Sequence, residues 1–339
     1  NSPYSDFGPT FYQDGLIFTS DRDIDMITDK NYLWTSFGYL DLYEARPVSY
    51  NDFWSDLKAP ERLPATFNQA YHDGPVSFTG DFRKMFITRT LKNSSKKDTS
   101  AMKTDYLKIF IADLNGQKKI DFIPFPYNAE NYSVGHPSVS KDGKTLILSS
   151  NKPGGSGQSD LYISELKDGK WSEPENLGPE INTFGNEVFP FLANDSTLYF
   201  SSDGLPGYGG LDLYETNKVN GKWLKPWNLK APLNSPYDDF SIAFDKKQSY
   251  GFFSSNRPGG VGSDDIYAFR NYRRTLGPND RLIIGEKNKK LVLAGFVKDK
   301  KNMEPIEGAT VFLLNSTTNE VLILKTDKKG YYETPADNG

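Results

Sequence analysis

Short apolar runs separated by polar turns recur along residues 1–270, and none of them has the 3.6-residue period of an amphipathic helix. Each unit opens with a short apolar segment that in most units contains a proline, as in HPSVSKDGKTLIL from His136. A turn, a second apolar run, a further turn and a third run follow. This pattern predicts three or four short strands in each unit and no helix.

One phrase recurs almost unchanged in three of these units: SSNKPGGSGQSDLY (149–162), SSDGLPGYGGLDLY (201–214) and SSNRPGGVGSDDIY (254–267). Weaker copies lead to Tyr43 and to Phe110. The units align on Asn1, Asn68, Asn128, Asn182 and Asn234. Five strand-only units predict an all-β protein built as a five-bladed β-propeller, with small antiparallel sheets around a central channel. A six-bladed ring is the alternative.

The pattern divides the chain into three parts. Residues 1–270 form the predicted propeller, and residues 271–290 form a polar, basic linker that contains a Gly-Pro pair. In residues 291–339, apolar and polar positions alternate with a period of two, which predicts the first strands of a β-sandwich. About 49 residues are fewer than the roughly 80 to 100 of such a sandwich, so we expect this domain to be truncated.

Composition excludes several classes of function. The chain has no cysteine, so it forms neither disulfides nor a thiolate metal site. No apolar run approaches the ~20 residues of a membrane-spanning helix. Residues 1–269 carry 27 Lys plus Arg against 35 Asp plus Glu. An acidic ring argues against general nucleic-acid binding, which needs clustered cations to neutralise phosphates.

Several polar residues are expected at the mouth of the central channel, where the first strand of each blade begins. Counting three residues back from the aligned prolines, and using the carboxylates near the fifth first strand, gives Asp6, His72, Glu187, Asp238 and Asp239. Converging carboxylates suit a calcium ion or the acid and base of a glycosidase. Hydrogen bonds to backbone amides of the neighbouring blade are the structural interpretation, which we favour. We therefore predict no catalytic residue and no cofactor, with calcium left open.

Three acids recur at one place, just before the third strand of their units: Asp160, Asp212 and Asp265. An acid repeated in every copy of a glycine-rich turn is more simply a cap that accepts hydrogen bonds from that turn than a repeated active site. We predict that these residues are structural.

Two long insertions replace the glycine-rich turn in the first two units, at residues 22–39 and 90–106. Because they occupy the same slot in neighbouring blades, we expect them side by side on one face. The first carries anchor-type side chains and the second carries lysines, which together predict a partner-binding surface: Tyr32, Leu33, Trp34, Phe37, Lys92, Lys96, Lys97 and Lys103. A solvated loop is the alternative for the lysine-rich insertion.

The repeat resembles a known family through Pro137, Asp142, Gly143, Ser149, Ser150, Asn151, Pro153, Gly154, Gly155, Asp160, Leu161 and Tyr162. These residues look like the TolB-type, WD40-like propeller repeat of OmpA-family envelope proteins of the Bacteroidetes. The stretches LAGFVKD, PIEGATVFL and TDKKGYY resemble a carboxypeptidase-regulatory-like domain. In this order the modules resemble the middle of PorE-type proteins of the type IX secretion and gliding machinery.

The resemblance implies a non-catalytic scaffold in the periplasm, associated with the outer membrane, whose partners are other envelope proteins. In that family, peptidoglycan is bound by an OmpA-like domain that no residue of this sequence matches. From the residues alone, a glycan-binding or glycoside-hydrolysing propeller that uses carboxylates at the channel mouth remains the alternative.

Overall fold

The computed structural model describes residues 2–22, 38–48, 57–69, 71–90, 106–115, 119–271, 291–299, 301–302, 304–314 and 321–336. Within these residues the protein is all-β. The described part of the chain has no helix with the length and apolar character needed to cross a bilayer. The chain forms two compact units, residues 1–275 and 276–339.

Five antiparallel sheets make up the first unit, and each sheet is one blade. Blade 1 contains β1 (Asp6–Tyr12), β2 (Gly15–Ser20), β3 (Asp41–Ala45) and β4 (Glu61–Arg62). Blade 2 contains β5 (Asp73–Phe78), β6 (Lys84–Thr90), β7 (Leu107–Asp113) and β8 (Phe122–Pro124). In both blades the strands pair in sequence order, from an inner first strand to an outer fourth strand.

The next three blades repeat this order. Blade 3 contains β9 (Val134–Val139), β10 (Thr145–Ser150), β11 (Asp160–Lys167), β12 (Lys170–Trp171) and β13 (Glu175–Asn176). Blade 4 contains β14 (Glu187–Asn194), β15 (Thr197–Ser202), β16 (Asp212–Val219), β17 (Lys222–Trp223) and β18 (Trp227–Asn228). Blade 5 contains β19 (Asp239–Phe244), β20 (Tyr250–Ser255) and β21 (Asp265–Arg270). In blades 3 and 4 two short segments share the fourth-strand place, pairing with β11 and β16 respectively.

The hydrophobic core is divided among the five interfaces between blades. Alternate side chains of each sheet face the next blade, so that Phe86 of blade 2 packs with Leu146 of blade 3. Ile147 of blade 3 packs with Phe200 of blade 4 in the same way. Three further clusters join blades 1 and 2, blades 4 and 5, and blades 5 and 1. The clusters therefore run around the whole ring, and the predicted five-bladed propeller is confirmed.

One backbone hydrogen bond recurs where neighbouring blades meet, and it also closes the ring. The amide of the residue that starts a first strand donates to the carbonyl just before the third strand of the preceding blade. The pairs are Asp73 to Leu40 (2.7 Å), Glu187 to Ser159 (2.6 Å), Asp239 to Leu211 (2.6 Å) and Asp6 to Asp264 (2.8 Å). The last pair joins blade 1 to blade 5, so the ends of the repeat array meet by the same contact that joins its middle.

Each first strand bends at the same place. One residue near its start has a left-handed backbone, with φ of 67° at Gly8, 104° at Gly74, 48° at His136, 50° at Phe189 and 54° at Ser241. The strand pairing shifts register around this point in every blade, as in a β-bulge. The bend sets the direction of the side chains around the central channel.

The second unit is described by four strands in two separate pairs. β22 (Leu291–Phe296) pairs with β25 (Tyr331–Ala336), and β23 (Thr310–Leu314) pairs with β24 (Val321–Lys325). The strand assignment follows the period-two pattern of the sequence, whereas the truncated β-sandwich stays a prediction. All of the predicted linker except Asn271 lies outside the described residues.

Candidate functional site

Buried carboxylates start the first strands of four blades: Asp6, Asp73, Glu187 and Asp239. We call the side of the ring where these strands begin the entry face. Val134 takes the same place in blade 3. All five positions are nearly inaccessible to solvent.

Two of these carboxylates show how the position is used. Glu187 accepts hydrogen bonds from the amide of Thr183 at 2.8 Å and from the hydroxyl of Ser202 at 2.7 Å. Asp239 accepts equivalent bonds from the Ser235 amide at 2.5 Å and the Ser255 hydroxyl at 2.6 Å. Burial raises the pKa of Glu187, and these hydrogen bonds oppose the rise. Each carboxylate is thus engaged by the loop that enters its own blade.

Blade 2 departs from the predicted spacing, because Asp73 and not His72 takes the place of the buried acid. Asp73 starts β5 and accepts a hydrogen bond from the Gln69 amide, as Glu187 does from Thr183. His72 lies one residue earlier, and its Nδ1 accepts a bond from the Leu40 amide at 3.1 Å. Sequence reasoning therefore missed Asp73. The signal was a constant distance of five residues, from Asn68 to Asp73 as from Asn182 to Glu187.

Asp73 forms a buried ion pair with Arg89. Arg89 Nε lies 2.6 Å from Asp73 Oδ1, and both side chains are 1% exposed. The guanidinium also donates to the carbonyl of Phe67 at 2.7 Å and lies 3.8 Å from the centre of the Phe122 ring. Burial raises the pKa of Asp73 to about 6, against the opposing effect of Arg89. Desolvation therefore outweighs the attraction between the two charges.

Arginines also pair with the buried acids of blades 1 and 5. Arg22 lies 2.6 Å from Asp6, and Arg257 lies 2.5 Å from Asp239. Each guanidinium lies over two aromatic rings, at 5.3 and 5.0 Å in blade 1 and at 4.9 and 5.2 Å in blade 5. The predicted channel-mouth residue Asp238 has a different task, since its Oδ1 accepts the Leu211 amide at 2.8 Å.

Blade 3 has neither the acid nor the arginine. Val134 replaces the acid, and Lys152, at the sequence position of Arg22, forms a salt bridge with Glu173 at 2.9 Å. A cavity of about 210 Å³ lies at this junction, with Val134, Lys152 and Tyr162 in its wall. Blade 3 therefore has a cavity where blades 1, 2 and 5 have an acid paired with an arginine.

The contacts of the predicted channel-mouth residues are local. Each of the described carboxylates hydrogen-bonds within its own blade junction, as given above. Across the part of the chain that the structure describes, no group of three or more His, Cys, Asp or Glu side chains is placed to hold a metal ion. The arrangement is that of repeated structural contacts around the ring.

The three recurrent acids Asp160, Asp212 and Asp265 each accept hydrogen bonds from their own glycine-rich turn. The donors are the amides of Ser156 and Gly157, of Tyr208 and Gly209, and of Val261 and Gly262, at 2.5 to 3.1 Å. These contacts are those of a turn cap.

The glycine three residues before each recurrent acid packs against the loop that enters the next blade. A Cβ added to Gly157 would lie 2.3 Å from the carbonyl oxygen of Thr183, and one on Gly209 would lie 2.1 Å from that of Tyr237. Gly262 meets the Tyr4 carbonyl oxygen at 1.8 Å in the same way. The repeated phrase therefore encodes a close approach between neighbouring blades, in addition to a turn.

A funnel opens on the other side of the ring, which we call the funnel face. It has a volume of about 200 Å³ and is lined by the first strands of all five blades. Prolines at one level of four blades contribute to its wall: Pro9, Pro75, Pro137 and Pro190. Aromatic side chains line it closer to the turns that join first and second strands: Phe11, Phe78, Phe82, Phe191 and Phe244. A concave, largely apolar surface of this kind is the default binding site of a protein.

Aromatic rings form the floor of the funnel. His136 stacks on Phe189 with 4.1 Å between ring centres, and Phe189 lies 5.0 Å from Phe240. Phe7 contacts both phenylalanines, at 6.3 and 6.1 Å. Burial lowers the pKa of His136 to about 4, so its ring is neutral at pH 7. The floor lies between the funnel and the carboxylates of the entry face.

The rim of the funnel is positively charged. Lys141 and Lys246 line it, and neither has a salt-bridge partner among the described residues. Asp245 is the one carboxylate among the described lining residues. Its oxygens accept the amides of Tyr250 and Lys247, at 2.8 and 3.2 Å, and thereby cap a turn. Sequence reasoning missed the funnel, because nothing in the repeats marks which end of the first strands is concave.

The predicted partner-binding residues of the two insertions, from Tyr32 to Phe37 and from Lys92 to Lys103, lie outside the described residues. The strand ends that flank both insertions are described. Ser20 and Asp41 border the first, and Thr90 and Leu107 border the second, all at the entry face. The prediction of an interface there stays a prediction.

No protein-family model matches the chain, and no curated protein matches it in sequence. Solved structures are similar to it at low identity. A puromycin-hydrolyzing peptidase of Mycobacterium tuberculosis is 12% identical over 95% of this chain, with a TM-score of 0.44, and this chain spans 53% of its length.

Two further structures carry the name TolB. A putative TolB from Agrobacterium tumefaciens is 13% identical, with a TM-score of 0.44, over 79% of this chain and 83% of its own. TolB from Acinetobacter baumannii is 12% identical, with a TM-score of 0.41, over 88% of this chain and 60% of its own. These values describe a distant likeness in fold.

Proposed function

We propose that this chain is a non-catalytic protein-interaction module of a cell-envelope complex, and that its rigid ring holds a partner segment in the funnel. The observation that carries the proposal is the state of the carboxylates. Glu187, Asp239 and Asp73 are buried and engaged by their own blades, and the funnel's Asp245 caps a turn. A glycosidase needs two carboxyl groups that face one substrate.

The funnel itself favours a polypeptide. Its wall of prolines and phenylalanines suits apolar side chains, and the cationic rim suits a carboxylate of the same segment. An acidic ring with these features also favours a protein partner over nucleic acid. The proposed ligand is a segment with apolar side chains and at least one acidic group.

The finer assignment rests on the sequence resemblance. It places the protein in the periplasm, near the outer membrane, in a type IX secretion or gliding complex, and links it to peptidoglycan through a domain outside this chain. We propose these as the setting of the module. A glycan-binding or glycoside-hydrolysing ring is the rival.

The test reverses charge at the funnel rim. The tagged full-length protein is crosslinked in envelopes as wild type, as Lys141→Glu with Lys246→Glu, and as Lys170→Glu with Lys222→Glu. The second pair is a matched control on exposed outer strands of blades 3 and 4. We expect the rim variant to lose an envelope protein that the wild type and the control retain. Identical partners in all three, or hydrolysis of a glycan panel by wild type and not by Glu187→Gln, would contradict the proposal.

A further inference from the structure

The fourth strands of blades 1, 3 and 4 share one polar position. Each places a hydrogen-bond donor opposite the tyrosine of the third strand, in the pairs Arg62 with Tyr43, Asn176 with Tyr162 and Asn228 with Tyr214. The donor also lies beside the turn-capping acid. Arg62 Nε donates to Asp41 at 2.7 Å, and Asn176 Nδ2 donates to Asp160 at 2.7 Å.

Blade 4 has the same strand pairing. Asn228 lies opposite Tyr214, as Asn176 lies opposite Tyr162. In this blade Asn228 Nδ2 and Asp212 Oδ1 are both buried and have no hydrogen-bond partner.

Blade 5 has the acid and the tyrosine, but no fourth strand among the described residues. Asp265 is 2% exposed, and its Oδ1 has no hydrogen-bond partner. The hydroxyl of Tyr267 is buried and without a partner as well. Burial raises the pKa of Tyr267, and the charge of Asp265 adds to the rise, so the two groups are close together. Blade 5 therefore has two buried polar groups that a donor on a fourth strand would reach, and unlike blade 4 it has no described strand at that edge.

The spacing of the repeats says where that donor lies in the polypeptide. Arg62 precedes Asn68 by six positions, and Asn176 and Asn228 precede Asn182 and Asn234 by the same number. Asn1 has the equivalent place in the repeat. The fourth strand that belongs to blade 5 thus falls immediately upstream of Asn1.

We propose that a segment of the same polypeptide, preceding Asn1, docks along β21 as the fourth strand of blade 5. Six positions before Asn1 it carries an asparagine or arginine that donates to Asp265 and Tyr267. The fourth strands of blades 1, 3 and 4 read PERL, PENL and PWNL around the donor, so the segment has proline two residues before the donor and leucine after it. The site is distinct from the funnel, and the proposal is independent of the proposed function.

Two extended chains test this proposal. The first adds the fifteen residues that precede Asn1 in the natural polypeptide. The second fuses a copy of residues 222–233 to Asn1, which places the copied Asn228 six positions before it. The matched control is the second chain with leucine in place of the copied asparagine.

We expect both extensions to raise the thermal unfolding midpoint by about 4 °C or more over the unextended chain. We also expect the amides of Asp265–Arg270 to exchange about tenfold more slowly in both extended chains. The leucine control loses most of each gain. Equal stability of the control and the second chain would overturn the role of the donor.

The difference in stability between the two extended chains tests which segment occupies the fourth-strand position of blade 5. Stabilisation by residues 222–233 but not by the natural extension would overturn the upstream assignment. The competing occupant is Arg281 with Leu282, which lies outside the described residues and repeats the order of Arg62 and Leu63. Loss of stability on replacing residues 279–282 by glycine and serine, with no gain from the natural extension, would assign the edge to that segment instead.

Discussion

Replacing Asp73 by alanine is expected to destabilise the ring by about 4 kcal/mol, because removal of one partner from a buried ion pair leaves an uncompensated charge. Arg89 is 1% exposed, so water cannot solvate its guanidinium. Its remaining partners, the Phe67 carbonyl at 2.7 Å and the Phe122 ring at 3.8 Å, carry no net charge. The variant also loses the bond from the Gln69 amide, which contributes about 1 kcal/mol.

The measurement is urea unfolding at pH 7.5, followed by tryptophan fluorescence. All five tryptophans lie in residues 1–269, so the signal reports on the ring and not on the second unit. The unfolding midpoint of Asp73→Ala moves to a lower urea concentration, and the dependence of the unfolding free energy on urea stays unchanged if the folded and unfolded states keep their compactness.

Two controls separate the buried charge from other effects. Asp121→Ala removes one partner of the Lys119 pair in the same blade, whose side chains are 84% and 66% exposed, and is expected to cost almost nothing. Asp73→Asn combined with Arg89→Met removes both charges and is expected to cost far less than Asp73→Ala alone. If the double variant is as unstable as the single one, or Asp73→Ala resembles Asp121→Ala, the reasoning is refuted.

The same carboxyl group makes stability depend on pH. Its pKa is raised from 3.8 to about 6 by burial, so folding favours the protonated form. The contribution of the Asp73 carboxyl group to the free energy of unfolding is complete below about pH 4 and is lost as pH rises through 6. The stability of wild type relative to Asp73→Asn is therefore expected to fall as the pH rises from 4 to 7.5. A difference that does not change with pH would contradict the assignment.

Three further outcomes are expected from unfolding measurements on the same chain. The pKa of His136 is lowered to about 4, so its contribution to the free energy of unfolding is complete above pH 6.5 and is lost as pH falls toward 4. His136→Phe is expected to abolish that loss, and an unchanged fall in stability at acid pH would contradict the prediction. Gly157→Ala costs about 3 kcal/mol through backbone overlap, whereas Gly154→Ala, which meets open space at a φ of 90°, costs about 1 kcal/mol. Val134→Asp is destabilising alone and is partly rescued by Lys152→Arg, with a coupling above about 1 kcal/mol in a double-mutant cycle; additive effects would show that the cavity does not accept the pair.

The ring was predictable because its information is local and repeated. The phrase around Pro153 to Tyr162 contains a turn, its acid cap and the glycine that approaches the next blade. These contacts involve residues close in sequence or in the adjacent repeat, so five copies define five blades. The asparagines add to this, since Asn182 binds the amide and carbonyl of Leu161 at 2.8 and 2.9 Å.

Other features depend on residue spacing and backbone geometry that the repeated residues do not specify. Counting back from Pro75 selects His72, because blade 2 has one residue fewer between acid and proline than blade 4. The left-handed residue of the five first strands is Gly8, Gly74, His136, Phe189 or Ser241, so no common side chain marks the bend. Since that bend decides which side chains meet on the axis, neither the aromatic floor nor the funnel was visible in the sequence.

The floor of stacked rings lies between the funnel face and the entry face of this propeller. None of the four buried acids lines the funnel, so a ligand seated among the phenylalanines has no direct contact with them. Each side is therefore free to acquire its own partner. A change that abolishes one attachment should leave the other intact, which suits a component that joins two neighbours.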